Sequence, residues 1–465
     1  MTDQHKIRTV NPATDKILAE YPALNRRELS DVAARSQAAY ESWRRTPIAE
    51  RASALGRVAD LIEQRRNELA AIATEEMGKP ISESFIEVDY IFRPIFRYYA
   101  DHAAELLADD RIRPLSGDDV VVRTMPIGPV LGIMPWNFPY YQVARFAAPN
   151  LLLGNTIILK HAPGTTGSAL VLEQILNDAG IPQDAYINVI AETDDLEVLI
   201  ADNRVRGVSL TGSERAGAAV AALAGQHLKK VVLELGGSDP FIVLDDHNID
   251  EVVQTAVQMR ISNAGQSCIS PKRVIIVDSV YEEFARKYGE AMGAVVPGDP
   301  HQAETALGPL SSRGARDGVI SIVDDAIGQG ATVLAGGKSV DGPGAFMQPT
   351  VLADVTPEMR AWREEIFGPV GVLYRARDAS HAVEIANDSD YGLAGSVWGA
   401  DLDLVRTVAE QLEVGAVGIN AMAGSEASVP FGGVKRSGVG RELGRYGLDE
   451  FSNKKVFRTP VTADV

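Results

Sequence analysis

Between residues 130 and 235 the chain alternates short β-rich runs with helical patterns, and this alternation constrains the fold more than any other feature. The runs fall at 130–134, 156–160, 186–190, 205–211 and 231–235, with helical spacing at 140–153, 167–179, 195–201 and 214–224. Strands and helices in this order build right-handed βαβ units, hence an open, doubly wound α/β sheet of the Rossmann type. Ala179-Gly180-Ile181-Pro182 is a helix stop inside it. Ligands of such sheets bind beyond the carboxyl ends of the strands, so the residues that close each strand are the ones to weigh.

The first strand runs into Pro135-Trp136-Asn137-Phe138-Pro139, a rigid turn that fixes the Asn137 amide. A fixed amide donor suits an oxyanion hole; a turn residue satisfying its own backbone is the plainer reading. The second strand ends in Lys160-His161-Ala162-Pro163. Lys160 could bond ribose hydroxyls or a phosphate, or be a solvated strand-end lysine. The fourth ends in Thr211-Gly212-Ser213, with Gly217 beyond. This is not G-x-G-x-x-G, but it keeps a tight turn and a hydroxyl at a helix N-terminus, whose free amides bind phosphate; an ordinary βα turn fits equally well. The fifth places Glu234 in an apolar strand ahead of Gly236-Gly237. Burial raises a carboxyl pKa and makes a base near neutral pH; a carboxylate paired with a structural cation is the alternative.

The only cysteine lies in Asn263-Ala264-Gly265-Gln266-Ser267-Cys268-Ile269-Ser270-Pro271. Small polar residues and Gly make that loop reachable by a ligand, so Cys268 is a candidate nucleophile; the alternative is an inert buried thiol. The segment 250–265 reads as a helix capped by Asp250. Its negative end precedes Cys268 and would not activate a thiolate, so activation falls to a cationic nicotinamide ring or a base such as Glu234.

Elsewhere, 7–24 reads as a hairpin and 26–107 as mostly helical. The segment 109–124 reads as a projecting hairpin, either a flap or a contact with another subunit. A second α/β unit has strands at 273–277, 332–334, 369–374, 395–398 and 416–420, and 454–459 is a candidate edge strand. The net charge, 45 − 63 = −18, speaks against nucleic acid or an anionic membrane as main partner. One Cys excludes an intrachain disulfide and a cysteine-rich zinc site, and the seven His form no ligand motif, so no metal is expected. The N-terminus lacks a signal-peptide core and no apolar run approaches the roughly 20 residues of a membrane span. A reducing cytoplasm is the expected compartment.

Taken together, Pro135-Trp136-Asn137-Phe138-Pro139, Glu234-Leu235-Gly236-Gly237, Gly265-Gln266-Ser267-Cys268 and Glu364-Glu365-Ile366-Phe367-Gly368-Pro369 resemble the signatures of the aldehyde dehydrogenase superfamily, in that family's order. The spacings match too, 34 residues from Glu234 to Cys268 and 97 from Cys268 to Glu365. The resemblance implies a dinucleotide-binding domain over 1–108 and 126–233, a catalytic domain over 234–440, and a small β oligomerisation element from 109–125 and 441–465, in a homodimer or homotetramer. It implies that Cys268 attacks an aldehyde, that its N–H and Asn137 hold the oxyanion, and that Glu234 activates the water releasing the acid. Trp136, Lys160, Gly212, Ser213, Glu365 and Phe367 match cofactor-contacting positions, with Glu365 on the nicotinamide ribose.

Lys160 to Pro163, Leu233 to Pro240 and Phe431 to Gly438 also resemble a subgroup, the shorter bacterial succinic semialdehyde dehydrogenases. That likeness puts Arg145 on the substrate's far carboxylate; a helix-surface ion pair is the alternative. Many relatives carry an arginine where this chain has Ser262. Arg260 is two residues away, about 200° around a helix, and does not replace it; Ser425 is a further carboxylate-binding candidate. Glutaric semialdehyde or an aliphatic aldehyde therefore remains an alternative substrate, and a non-catalytic protein on the same fold an alternative role. Pro163 stands where NAD-preferring relatives place a glutamate for the adenosine ribose 2′-hydroxyl. With Lys160 and His161 near a 2′-phosphate, NADP is expected, NAD also being possible.

Overall fold

The computed structural model describes residues 6–460. The termini, including the N-terminal stretch read for a leader and the end of the 441–465 element, lie outside the described residues.

The alternating region folds as expected. Its sheet runs, in space, Gly438–Val439, Lys230–Glu234, Gly207–Thr211, Pro129–Met134, Thr156–His161, Tyr186–Asn188. All neighbours are parallel except the Gly438–Val439 edge, which pairs antiparallel with Leu233 and Glu234. Gly207–Thr211 and Thr156–His161 are buried throughout, which explains their unbroken apolar character. From Pro129–Met134 the chain steps outward to 156 and 186, then returns to lay 207 and 230 on the other side. That reversal opens a crevice between Met134 and Thr211. Trp136 and Asn137 leave one lip and Gly212 and Ser213 the other.

A second sheet runs Thr332–Ala335, Thr350–Ala353, Val370–Ala376, Pro271–Val277, Asp239–Val243, Ala394–Trp398, Ala416–Ile419, with only the first strand antiparallel. Two of these strands escape sequence reading. Asp239–Val243 opens with Asp-Pro directly after Gly-Gly, a turn signature, and its register shifts between Asp239 and Pro240. Thr350–Ala353 is four residues long, too short for a period to show. Pro271–Val277 begins just after Cys268, so this sheet presents the cysteine from the amino end of a strand.

The 109–124 segment is a hairpin, Asp110–Ile112 with Asp119–Pro126, and Ser452–Thr459 pairs along the whole of its second strand. The 26–107 region is helical and contains one π-helical turn, Glu87–Phe92. The helix before the cysteine differs from expectation. It spans Ile249–Ile261, with Asn248 at the cap position in left-handed conformation (φ 54°) and no side-chain cap bond. Asp250 lies in the first turn and pairs with Lys287 at 2.5 Å. The helix stops early because Asn263 and Ala264 adopt φ of 52° and 53°, which costs roughly 1–2 kcal/mol per residue without glycine and must be held from outside.

Candidate active site

Two cavities meet at Cys268. One, about 520 Å³, is lined by Glu83, Ile86, Phe138, Tyr141, Met259, Ile261, Ser262, Ile269, Ser425 and Phe431 among others, and by Cys268. The other, about 260 Å³, is lined by Trp136, Asn137, Gly212, Ser213, Gly236, Glu365 and Phe367, and again by Cys268. The thiol is thus neither on the surface nor sealed in the core. Its pKa is pushed up to about 12, chiefly by desolvation; Arg145 and Lys272 pull it down, and Glu365 and Asp239 push it up.

The loop is held by long-range polar contacts. The Glu83 carboxylate accepts from the Asn263 N–H at 2.6 Å, fixing the first left-handed residue. The Asn263 amide donates to the Asn137 carbonyl at 2.8 Å and to the Gln266 carbonyl at 3.2 Å. Asn137 Nδ2 donates to the same Gln266 carbonyl at 3.0 Å, which leaves its second N–H for the cavity it lines with Cys268. On the other side, Arg260 is fully buried and donates to Ser270 Oγ at 3.0 Å, to the Gly265 and Ile366 carbonyls at 2.9 and 3.2 Å, and to that of Gly368. Arg260 therefore bolts the cysteine loop to the Glu365–Phe367 loop and points away from the substrate side, whereas Ser262 lines that side.

The smaller cavity has features that suit the nicotinamide end of a dinucleotide. Ser213 caps the Glu214–Gln226 helix by accepting from the Ala216 N–H at 3.4 Å, so the helix offers its amino end at the crevice. A Cβ on Gly236 would collide with the Glu365 carboxylate, so glycine keeps that wall open. Trp136 and Phe367 pack edge to face at 5.8 Å between centroids. Lys160 closes its strand as expected but is buried, its pKa lowered by desolvation against an opposing contribution from Glu192; it lies outside this cavity's wall. His161 needs correcting as a phosphate partner. One ring nitrogen faces the Pro139 carbonyl at 2.8 Å, the other accepts from the Ala162 N–H at 2.9 Å, and burial takes its pKa to about 4. It is neutral.

Glu234 ends its strand beside the cavities, but its carboxyl points inward. A Cβ on Gly432 would sit 2.6 Å from Oε1, and among the described residues neither oxygen has a hydrogen-bond partner. Burial, with Glu442 nearby, raises its pKa well above the carboxylate range against the pull of Arg145.

Arg145 was expected on the substrate's far carboxylate. It is fully buried, pairs with Glu442 at 2.7 Å, and lies between the Tyr141 and Phe431 rings at 4.9 and 4.5 Å. It is not on the wall of the larger cavity. It donates to Tyr141 Oη at 3.3 Å, and that oxygen meets Ser425 Oγ at 2.5 Å. The wall thus shows two hydroxyls backed by a cation. Sequence reading reached Ser425 but missed Tyr141, Asn263, Gln266, Glu83 and Lys272. The one signal available was Lys272, which with Arg273 puts charge at the start of a strand that continues as the apolar run Val274 to Val277.

A lone thiol where a crevice at the strand ends meets a larger, mostly apolar cavity is an arrangement suited to oxidising a carbonyl through a covalent cysteine adduct. The chain belongs to the aldehyde dehydrogenase family, whose sequence profile matches residues 1–457. It is 51% identical over 450 residues to a succinate-semialdehyde dehydrogenase (NADP(+)) of Deinococcus radiodurans, covering 97% of this chain and 94% of that one. It is 43% identical over 445 residues to a succinate semialdehyde dehydrogenase (NAD(P)+) of Escherichia coli, covering 96% of each. The structure of succinic semialdehyde dehydrogenase from Streptococcus pyogenes in complex with NADP+ superposes with a TM-score of 0.95 at 38% identity, covering 98% of this chain and 100% of that one.

Asn137→Ala is expected to lower kcat by about 10²–10³-fold with little change in nucleotide binding, the usual loss for one oxyanion donor. Steady-state kinetics beside a nucleotide titration checks it; unchanged kcat would remove Asn137 from the oxyanion site.

Proposed function

We propose that this chain oxidises succinic semialdehyde to succinate with NADP, NAD serving less well, through a covalent adduct at Cys268. The observation that carries the reading is the meeting of the two cavities at that sulfur. The thiolate form of Cys268, favoured by the Arg145 charge, attacks the aldehyde carbon; its own N–H and the second N–H of Asn137 hold the oxyanion of the thiohemiacetal. A nicotinamide nucleotide held beside Cys268 would supply the hydride acceptor for oxidation of this adduct to the thioester level. Glu234 then turns from its inward position towards Cys268 and takes a proton from the hydrolytic water. Trp136, Gly212, Ser213, Glu365 and Phe367 hold the nucleotide, and Lys160 lies towards its adenosine end.

The substrate's far carboxylate is received by the Tyr141 and Ser425 hydroxyls, with the Arg145 charge behind them. Tyr141→Phe and Ser425→Ala should each raise KM for succinic semialdehyde roughly 10-fold or more, since hydrogen bonds to a charged group contribute about 1.5–3 kcal/mol, and leave hexanal nearly unaffected. An aldehyde panel with NADP and NAD checks both halves of the proposal. Hexanal outrunning succinic semialdehyde would sink the substrate, and strict rejection of NADP would sink the cofactor.

The three-stranded element carries exposed apolar residues, Ile112 at 50% and Val456 at 60%, which supports a homodimer or homotetramer formed through 109–125 and 441–465. Among the described residues no helix is long and apolar enough to cross a membrane, and a thiol that must stay reduced suits a cytoplasmic setting.

A further inference from the structure

Lys272 is buried against the backbone of the Cys268 loop and has no part in the chemistry described so far. It is the second residue of Pro271–Val277. Its ammonium donates to the Ser267 carbonyl at 2.9 Å, the Cys268 carbonyl at 2.8 Å and the Ser270 carbonyl at 3.4 Å, and it pairs with Glu365 at 3.1 Å. A desolvated ammonium is costly, and a Met would fill the same volume without that cost.

The bonding pattern gives the charge a use. The Ser267 carbonyl and the Cys268 N–H belong to one peptide plane. A cation on that carbonyl fixes the plane and polarises it, so the N–H at the other end becomes a better aimed and stronger donor. On its far side Lys272 meets Glu365 Oε1, which also accepts from the Gly237 N–H at 3.1 Å. The other Glu365 oxygen faces Gly236 in the nucleotide-like cavity.

We propose that Lys272 is a positioning residue that ties the oxyanion peptide of Cys268 to Glu365, so that the nucleophile's seat and the ribose-facing carboxylate are set as one unit. This rests on Cys268 being the nucleophile. The charged groups acting on that sulfur are Arg145 and Lys272, which favour a thiolate, and Glu365 and Asp239, which oppose it. Lys272→Met therefore leaves one cation against two carboxylates, and Glu365→Gln releases Lys272 from its partner.

Because the chain has one cysteine, iodoacetamide labelling of the full-length, nucleotide-free protein, followed by intact mass across a pH series, reports Cys268 alone. Lys272→Met should move the labelling curve to higher pH and slow labelling about tenfold at a fixed pH on its rising limb, one pKa unit being a factor of ten in thiolate. Its kcat should fall further than its aldehyde KM rises. Glu365→Gln should move the curve the other way, which keeps the test decisive if Lys272→Met folds poorly. If both variants label along the wild-type curve, or Lys272→Met turns over at the wild-type kcat, the proposal is overturned. The nucleophile reading itself fails on a separate measurement, full activity of Cys268→Ala, and takes this proposal with it.

Discussion

Cys268→Ala should lower aldehyde oxidation by at least ~10⁴-fold, the scale seen when a covalent nucleophile is removed, while nucleotide still binds. The loss is large because every later step happens on the sulfur: without it there is no tetrahedral adduct for Asn137 and the loop N–H to hold. The fold should survive. Cys268 is only partly buried at the fringe of the core, and its loop is fastened by Arg260, Lys272, Asn263 and Glu83 rather than by the thiol. Initial rates over an aldehyde panel, with an equilibrium nucleotide titration beside them, test the expectation. A residual rate within tenfold of wild type would move the chemistry elsewhere.

Glu234→Gln should separate the two halves of the reaction. The adduct still forms, so a rapid burst of reduced nicotinamide close to one per site remains, and steady turnover then falls about 10²–10⁴-fold, the contribution of a positioned general base. The sign of the pH effect follows from the raised pKa. Burial holds the pKa of the inward-facing carboxyl above the usual carboxylate range, so its base form grows as pH rises. Where hydrolysis limits the wild type, turnover should climb as pH rises above the usual carboxylate range, and the Gln variant should lose that climb. Rapid-mixing absorbance over a pH series distinguishes the cases. A variant that shows neither burst nor turnover would mean that Glu234 acts before the thioester forms.

Much of the architecture was legible because it rests on local regularities. The 130–235 strands read directly, as buried apolar runs of strand length broken by helices. The ends of those strands carried Asn137, Gly212, Ser213 and Glu234 because a doubly wound sheet places ligands there. Asp239–Val243 was not legible, since Asp-Pro after Gly-Gly looks like a turn until a neighbouring strand pairs with it. The Asp250 cap was not legible either: Asn248 takes that position, and Asp250 faces Lys287 from the next helix.

By itself the sequence determined the sheet alternation, the lone thiol in an open loop and the four spaced motifs, because each is a property of adjacent residues or of their count along the chain. Only the tertiary structure decided where the buried charges go. Arg145 pairs with Glu442, Arg260 holds two loops together, His161 is neutral, and Lys272 joins Cys268 to Glu365. A desolvated charge must find a partner, and that partner is fixed by which distant segments pack beside it.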